Sequence, residues 1–357
     1  MSTRAQRLAA ELEQVGVDLM LVSNLVNVRY LTGYSGSNGL ALIGGELRAF
    51  LTDFRYTEQA EHEVAAEFER LTVNQELAKA AADLLPDGSL RVGFESEHVS
   101  VDMLERLREY YPQRVELVPV KGLVERMRIV KDEAEIELII AATRIADQAF
   151  EALLAGGLEG RTERELALTL EQDMRLHGAE APSFDSIIAG GPHGALPHAT
   201  PRDVKLERGQ LVVIDWGARY HGYCSDCTRT VAVGEPGPAA REAYELVLGA
   251  QQVGLEEIRA GGDCKAIDKA VRDIIYGAGH EGHYGHGLGH GVGLEIHEAP
   301  SLSARSEDTL RASSVVTVEP GVYIPGELGI RIEDLVVVTE GAPRTLTEIP
   351  KGLRIVD

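Results

Sequence analysis

The apolar positions of this chain change their spacing about one third of the way along. Up to residue 120, short apolar runs such as VDLMLV, RVGFES and VELVPV alternate with segments whose apolar residues recur at helical spacing, such as ELAKAAADLL and residues 101–111. The runs predict strands and the spaced segments predict helices. LALIGGELRAFLTD sets Gly-Gly between two runs and predicts a hairpin. YTEQAEHEVA reads as a helix and ERLTV as a strand. The first residues, MSTRAQRLAAELEQVG, align Leu8, Leu12 and Val15 along one stripe of an amphipathic helix. These elements together predict a compact α/β domain.

Beyond residue 121 the strands stop and charge density rises. KGLVERMRIVKDEAEIELII starts a long helix near Asp132, whose buried side is expected to carry Ile136, Ile139, Ile140, Thr143 and Phe150. Thr162 and Glu165 have the spacing of a capping box at the start of the next helix. Further helices are expected near 239–260 and 264–277, with hairpins between them. The boundary falls between residues 121 and 131, dividing a 1–124 α/β domain from a 125–357 α+β domain.

Two strand–turn–strand units in the second part carry paired acids. LVVIDWGARYHGYCSDCTRTVAV holds Asp215 and Asp226; if these face each other, the turn centres between Tyr220 and His221. VVTVEPGVYIPGELGIRIEDLVVV holds Glu319 and Glu333, with Gly326 midway. Like charges directly opposite on a half-buried sheet are destabilising. Either one acid of each pair points to solvent, or a shared cation cancels the repulsion, and two divalent ions would neutralise four carboxylates. HYGHGLGHGVGLEIHE adds His283, His286, His290 and His297 among glycines. It lacks the phosphate-loop layout and is not H-E-x-x-H, so neither a nucleotide loop nor a single-zinc protease helix is supported.

Charge and cysteine content narrow the picture further. A formal net charge of −22 without a dense Lys/Arg run argues against nucleic-acid binding. No apolar stretch approaches the length of a membrane span and the N-terminus lacks a signal-peptide core, so a cytoplasmic protein is expected. The chain has three cysteines, and Cys224 and Cys227 are spaced C-x-x-C. The residues after them read as a strand, not the helix that a thioredoxin-type motif opens. Two part-buried strand residues facing opposite sides are expected, rather than a redox pair or half a zinc site.

At these residues the chain resembles the creatinase-like "pita-bread" metallopeptidases, the group of aminopeptidase P, prolidase and methionine aminopeptidase. LPHATP, VIDWGA, SDCTRT, HGLGHGVGLEIHE, VEPGVYI and GIRIEDLVVV follow in the family's order over residues 196–338. The resemblance implies a catalytic domain with a pseudo-twofold repeat. It also implies two divalent ions held by Asp215, Asp226, His290, Glu319 and Glu333, with Asp226 and Glu333 bridging. Mn²⁺ is the expected metal, as the oxygen-rich donor set also suggests, with Co²⁺ or Zn²⁺ as substitutes. The implied nucleophile is a metal-bridging hydroxide, with Glu319 shuttling its proton. His198, His286, His297 and Arg331 fall where family members line the substrate cleft, while Trp216 and His193-Gly194 read as variation beside it.

NVRYLTGYSGSNGLALIGGELRAFLTDFRYTEQA resembles aminopeptidase P and its small bacterial relatives. The expected activity is therefore release of an N-terminal residue from peptides with proline second. A dipeptidase restricted to Xaa-Pro is the alternative, and a non-catalytic peptide-binding relative is more remote. The resemblance also implies a homodimer.

Overall fold

The computed structural model describes residues 2–357 and divides into two compact units, Met1–Arg128 and Ile129–Asp357. In the first unit the order is α1 (Arg4–Glu11), β1 (Leu19–Val22), α2 (Leu25–Thr32), β2 (Leu40–Gly44), β3 (Leu47–Thr52), α3 (Thr57–Glu63), β4 (Glu69–Thr72), α4 (Leu77–Ala82), β5 (Leu90–Glu95), α5 (Val101–Tyr110), β6 (Val115–Val120) and α6 (Leu123–Arg128). The strands form one sheet in the order β4-β3-β2-β1-β5-β6, with β2 antiparallel to both neighbours. Thr3 and Gln6 close a capping box on α1, which buries Ala5 and Leu8. The helix ends before Val15, so that residue is only half-buried and Val17 enters the core instead.

The second unit begins with α7 (Glu133–Ala155) and α8 (Glu163–Leu176), each started by a complete capping box, Asp132 with Glu135 and Thr162 with Glu165. Ile136, Ile139, Ile140, Thr143 and Phe150 of α7 are all buried, as their spacing predicts. Six strands follow: β7 (Ala181–Pro182), β8 (Ile187–Gly190), β9 (Leu211–Trp216), β10 (Ala218–Tyr220), β11 (Tyr223–Cys224) and β12 (Cys227–Val233). The pattern then repeats: α9 (Pro238–Glu257), α10 (Cys264–Gly277), β13 (Gly289–Gly291), β14 (Glu298–Leu302), β15 (Val315–Val318), β16 (Gly321–Ile324), β17 (Leu328–Arg331), β18 (Asp334–Val337), β19 (Arg344–Thr345) and β20 (Ile355–Val356). One core packs α7 and α8 against β8, β9 and β12; a second packs α9 and α10 against β15 to β18. Among the described residues no helix is long and apolar enough to cross a membrane.

The two hairpins differ in how their acids align. In the first, Tyr220 pairs with Tyr223 and Asp215 with Thr228. His221 (φ 45°) and Gly222 (φ 82°) therefore form the two-residue turn, both in the left-handed region that such hairpins demand. The turn centre lies one residue later than equal spacing of the acids predicts, so Asp215 and Asp226 are diagonal neighbours, not direct partners. In the second, Val318 pairs with Asp334 and Gly321 with Arg331. That continuous register sets Glu319 opposite Glu333, around a turn at Pro325 and Gly326 (φ 78°).

Asp147 on α7 gives a stability prediction. One of its oxygens accepts the Glu348 N–H at 2.8 Å, and Oδ1 has no partner among the described residues. Burial pushes its carboxyl up from 3.8 to about 6. The folded state thus holds a proton that the unfolded chain has released, so this group's contribution falls as pH rises from about 4 to about 6. Asp147→Asn is expected to remove that slope and to stabilise the protein at pH 7.5, by at most about 3 kcal/mol. Urea midpoints of variant and parent from pH 4 to 8 check it.

Candidate metal centre and cleft

Three of the five acidic or imidazole positions sit where strands break. Asp226 precedes β12, Glu319 joins β15 to β16, and Glu333 joins β17 to β18, while Asp215 lies on β9 and His290 on β13. At such junctions the side chain is freed from the regular pleat and can turn inward. The hairpins are tied together there. Glu333 donates its N–H to Thr228 O at 3.1 Å, and Thr230 Oγ1 both donates to Arg331 O and accepts from Arg331 N at 3.0 Å. The buried Arg229–Asp334 pair (2.8 Å) fixes the same seam.

Ligand-capable oxygens of Asp215, Asp226 and Glu333 lie within 4.8 Å of one another. His290 Nε2 joins them, 3.2 Å from Glu319 Oε1 and 3.6 Å from Asp226 Oδ2. Burial and then the charges of Glu333 and Asp215 push the Asp226 carboxyl well up; burial and then Glu319 and Asp215 do the same to Glu333. Burial also opposes ionisation of Glu319, but His290, His286 and Arg331 outweigh it and hold that carboxyl down at about 2.

This set fits divalent cations on three observations. Asp215 Oδ1 and Glu333 Oε1 are buried without a partner among the described residues. The acids repel one another unless protonated or bridged by positive charge. His290 Nδ1 sits 3.1 Å from Gly291 O, and a carbonyl can only accept, so Nδ1 carries the hydrogen. Nε2 therefore faces the carboxylates: burial opposes a charge on the ring, but the hydrogen bond to Glu319 outweighs it and raises the imidazole above its usual range. A cation taking the place of that Nε2 proton would meet a lone pair at the same point, the geometry of a metal-ligating imidazole oriented by a backbone carbonyl.

The surrounding residues orient this set. Arg331 reaches Asp215 Oδ2 at 2.5 Å, Thr228 Oγ1 at 3.1 Å, Tyr323 Oη at 2.7 Å and Pro197 O at 3.2 Å. Thr228 passes its own hydrogen to Glu333 Oε2 at 2.7 Å. Thr317 accepts the His290 N–H and donates to Glu319 Oε1, both at 3.1 Å. A Cβ at Gly289 would overlap the Thr317 carbonyl oxygen, so glycine beside His290 is what allows this approach. His286 donates Nδ1–H to Gly287 O and accepts at Nε2 from Tyr323 Oη at 2.9 Å. Thr228, Thr317 and Tyr323 were not predicted. Each lies within four residues of a predicted acid (Thr228 of Asp226, Thr317 and Tyr323 of Glu319), and that closeness along the chain is the signal the sequence offers.

All nine predicted residues, His198, Asp215, Asp226, His286, His290, His297, Glu319, Arg331 and Glu333, line one cleft of about 570 Å³. His198 and His297 are exposed at it, and the His297 ring packs 4.3 Å from that of His290. His193 is not part of the lining. It is buried against Glu163, 2.9 Å from Oε2, because that carboxylate at the start of α8 also gathers Arg202 and the Gly190 N–H. Trp216 is a core residue stacked on Phe150 at 4.2 Å.

The cysteines take no part in this. Cys224 packs with Ile136, Val292 and Leu335, and Cys227 with Phe150, Trp216 and Val231, in separate cores. Burial pushes the Cys224 thiol up to about 11 and Cys227 well above its usual range, so neither supplies a thiolate.

Residues 137–340 match the metallopeptidase family M24, and residues 4–130 match the creatinase/prolidase N-terminal domain. The chain belongs to metallopeptidase family M24. This M24 chain is 38% identical to an Xaa-Pro dipeptidase of Pyrococcus furiosus over 99% of its own length and 100% of the relative's. It superposes on an Xaa-Pro dipeptidase from Bacillus anthracis with a TM-score of 0.95, at 39% identity over 99% of each chain. An X-Pro aminopeptidase from Thermotoga maritima gives a TM-score of 0.91 at 37% identity, over 99% of this chain and 100% of that one. The expected fold, a pita-bread unit after a creatinase-type N-terminal domain, is the fold of these M24 peptidases, and the chain is a peptide hydrolase.

Proposed function

We propose that this M24 peptidase is an Xaa-Pro dipeptidase that works with two divalent ions held by Asp215, Asp226, His290, Glu319 and Glu333. The observation that carries the reading is the convergence of these five residues with His198, His286, His297 and Arg331 on one cleft. Bound there, the ions would polarise the scissile carbonyl and activate water at neutral pH. The oxygen-rich donor set with a single imidazole suits Mn²⁺.

The chain's own groups divide the remaining work. Glu319, which lies beside His290 and accepts a hydrogen bond from Thr317, takes the proton of the attacking water at its carboxylate and passes it on. Burial pushes His286 below its usual range, so it acts as a neutral ring, and its Tyr323 partner orients it within the cleft. His297 and His198 line the cleft, and in this reading they meet the oxyanion or the leaving nitrogen. Arg331 holds Asp215 and, through Thr228, Glu333.

Dipeptides replace the longer substrates expected from the N-terminal segment alone, because whole-length similarity to dipeptidases of Pyrococcus and Bacillus outweighs that short stretch. The Thermotoga X-Pro aminopeptidase, at a similar identity, supports cleavage of longer peptides as a second reading. Hydrolysis of Xaa-Pro and Xaa-Pro-Xaa should be compared with added Mn²⁺. Dipeptides are expected to have the higher kcat/KM; faster turnover of tripeptides would overturn the dipeptidase reading in favour of the aminopeptidase.

A further inference from the structure

The turn that follows α10 brings two imidazoles together, and neither lines the cleft. α10 stops at Gly277, and Gly279 takes the left-handed conformation (φ 90°). A tight turn then closes through His283 N to His280 O at 3.0 Å, with Glu281 and Gly282 exposed at its tip. This geometry sets His280 Nδ1 3.1 Å from His283 Nδ1, with the rings inclined at 54°. Two Nδ1 atoms so close cannot both carry hydrogen. Either one ring donates to the other, or a cation stands in for the shared proton.

The spacing suits a cation. Two metal–nitrogen bonds of about 2.0–2.1 Å, opened to about 95–100°, span the same distance. The C-terminal end of a 14-residue helix adds partial negative charge beside the pair. The donors are imidazole nitrogens, which select Cu²⁺, Ni²⁺ or Zn²⁺ over Mn²⁺, whereas the cleft offers mainly oxygen. The turn is also tied to the cleft. His283 O accepts the Tyr323 N–H at 2.8 Å, and the Tyr323 hydroxyl bonds His286 and Arg331.

We propose that His280 and His283 form a second metal site, selective for a borderline transition-metal cation and separate from the carboxylate cluster. The full chain, saturated with Mn²⁺, is titrated calorimetrically with NiCl₂, alongside His280→Gln and His283→Gln. The parent is expected to bind one Ni²⁺ that excess Mn²⁺ does not displace. Each variant should weaken that step by at least about tenfold while keeping its Mn²⁺ and its hydrolysis rate. Cu²⁺ added to the Asp226→Asn background should show nitrogen hyperfine structure from two imidazoles, reduced to one in either glutamine variant. Unchanged Ni²⁺ binding in either variant, or displacement by Mn²⁺, overturns the proposal whether or not the peptidase reading stands.

Discussion

Asparagine in place of Asp226 is expected to abolish hydrolysis and, at the same time, to raise the melting temperature of the metal-stripped protein. Asp226 is 5% exposed and lies with Asp215 and Glu333 inside a 4.8 Å group. Burial first, and the neighbouring carboxylates second, raise its folded-state pKa above 3.8. A raised carboxylate pKa means that the folded state loses stability as pH climbs through the window above 3.8. The neutral amide removes that loss while nearly keeping the shape of the side chain. The loss of activity should exceed the ~10–100-fold that removal of an outer-shell partner costs, because a direct ligand is gone. Mn²⁺ should raise the melting temperature of the parent by mass action and leave that of the variant nearly unmoved. Thermal unfolding with EDTA and with Mn²⁺, together with an Xaa-Pro assay, checks all three signs. A variant that is less stable without metal, yet still stabilised by Mn²⁺, would sink the shared-cation account.

The sequence carried the site more clearly than it carried the local geometry that builds it. Glu319 and Glu333 could be set opposite each other because Pro325 and Gly326 mark the turn between them. Asp215 and Asp226 could not, because His221 looks like any polar residue and only its positive φ moves the turn centre by one place. The same displacement explains why Thr228, not Asp226, faces Asp215. α2 carries no periodic helical signature in the sequence because it is buried on most sides, with Asn27, Val28, Tyr30, Leu31 and Thr32 all inside. A helix without a polar face leaves no periodic pattern, although its Asn24 cap and left-handed Gly33 stop were readable. α4 spans only Leu77–Ala82, shorter than ELAKAAADLL suggests. Helices of the second unit were legible because two of them start in capping boxes and bury a single stripe.

Arg331→Ala should have the opposite effect on stability from Asp226→Asn, although both change the same cluster. Arg331 is 3% exposed, and its guanidinium contacts Asp215, Thr228, Tyr323 and the Pro197 carbonyl. Removing it leaves Asp215 buried beside other carboxylates without the guanidinium that pairs with it, a change that costs about 3–5 kcal/mol. The metal-stripped variant should therefore melt well below the parent. Mn²⁺ should recover part of the loss, since a cluster short of one positive charge attracts cations more strongly. Activity should not recover with it. Thr228 loses the Arg331 contact that orients its hydroxyl toward Glu333, and Tyr323 loses one of the two groups that fix it against His286. At saturating Mn²⁺, kcat is expected to fall by about 10–100-fold, the range for lost outer-shell partners. Arg331→Lys separates charge from geometry: it keeps a cation near Asp215 but lacks the planar fork that serves several acceptors at once. Lysine should restore much of the melting temperature and little of kcat. If it restores both, Arg331 acts only as a counter-charge, and its positioning of Thr228 and Tyr323 is unnecessary.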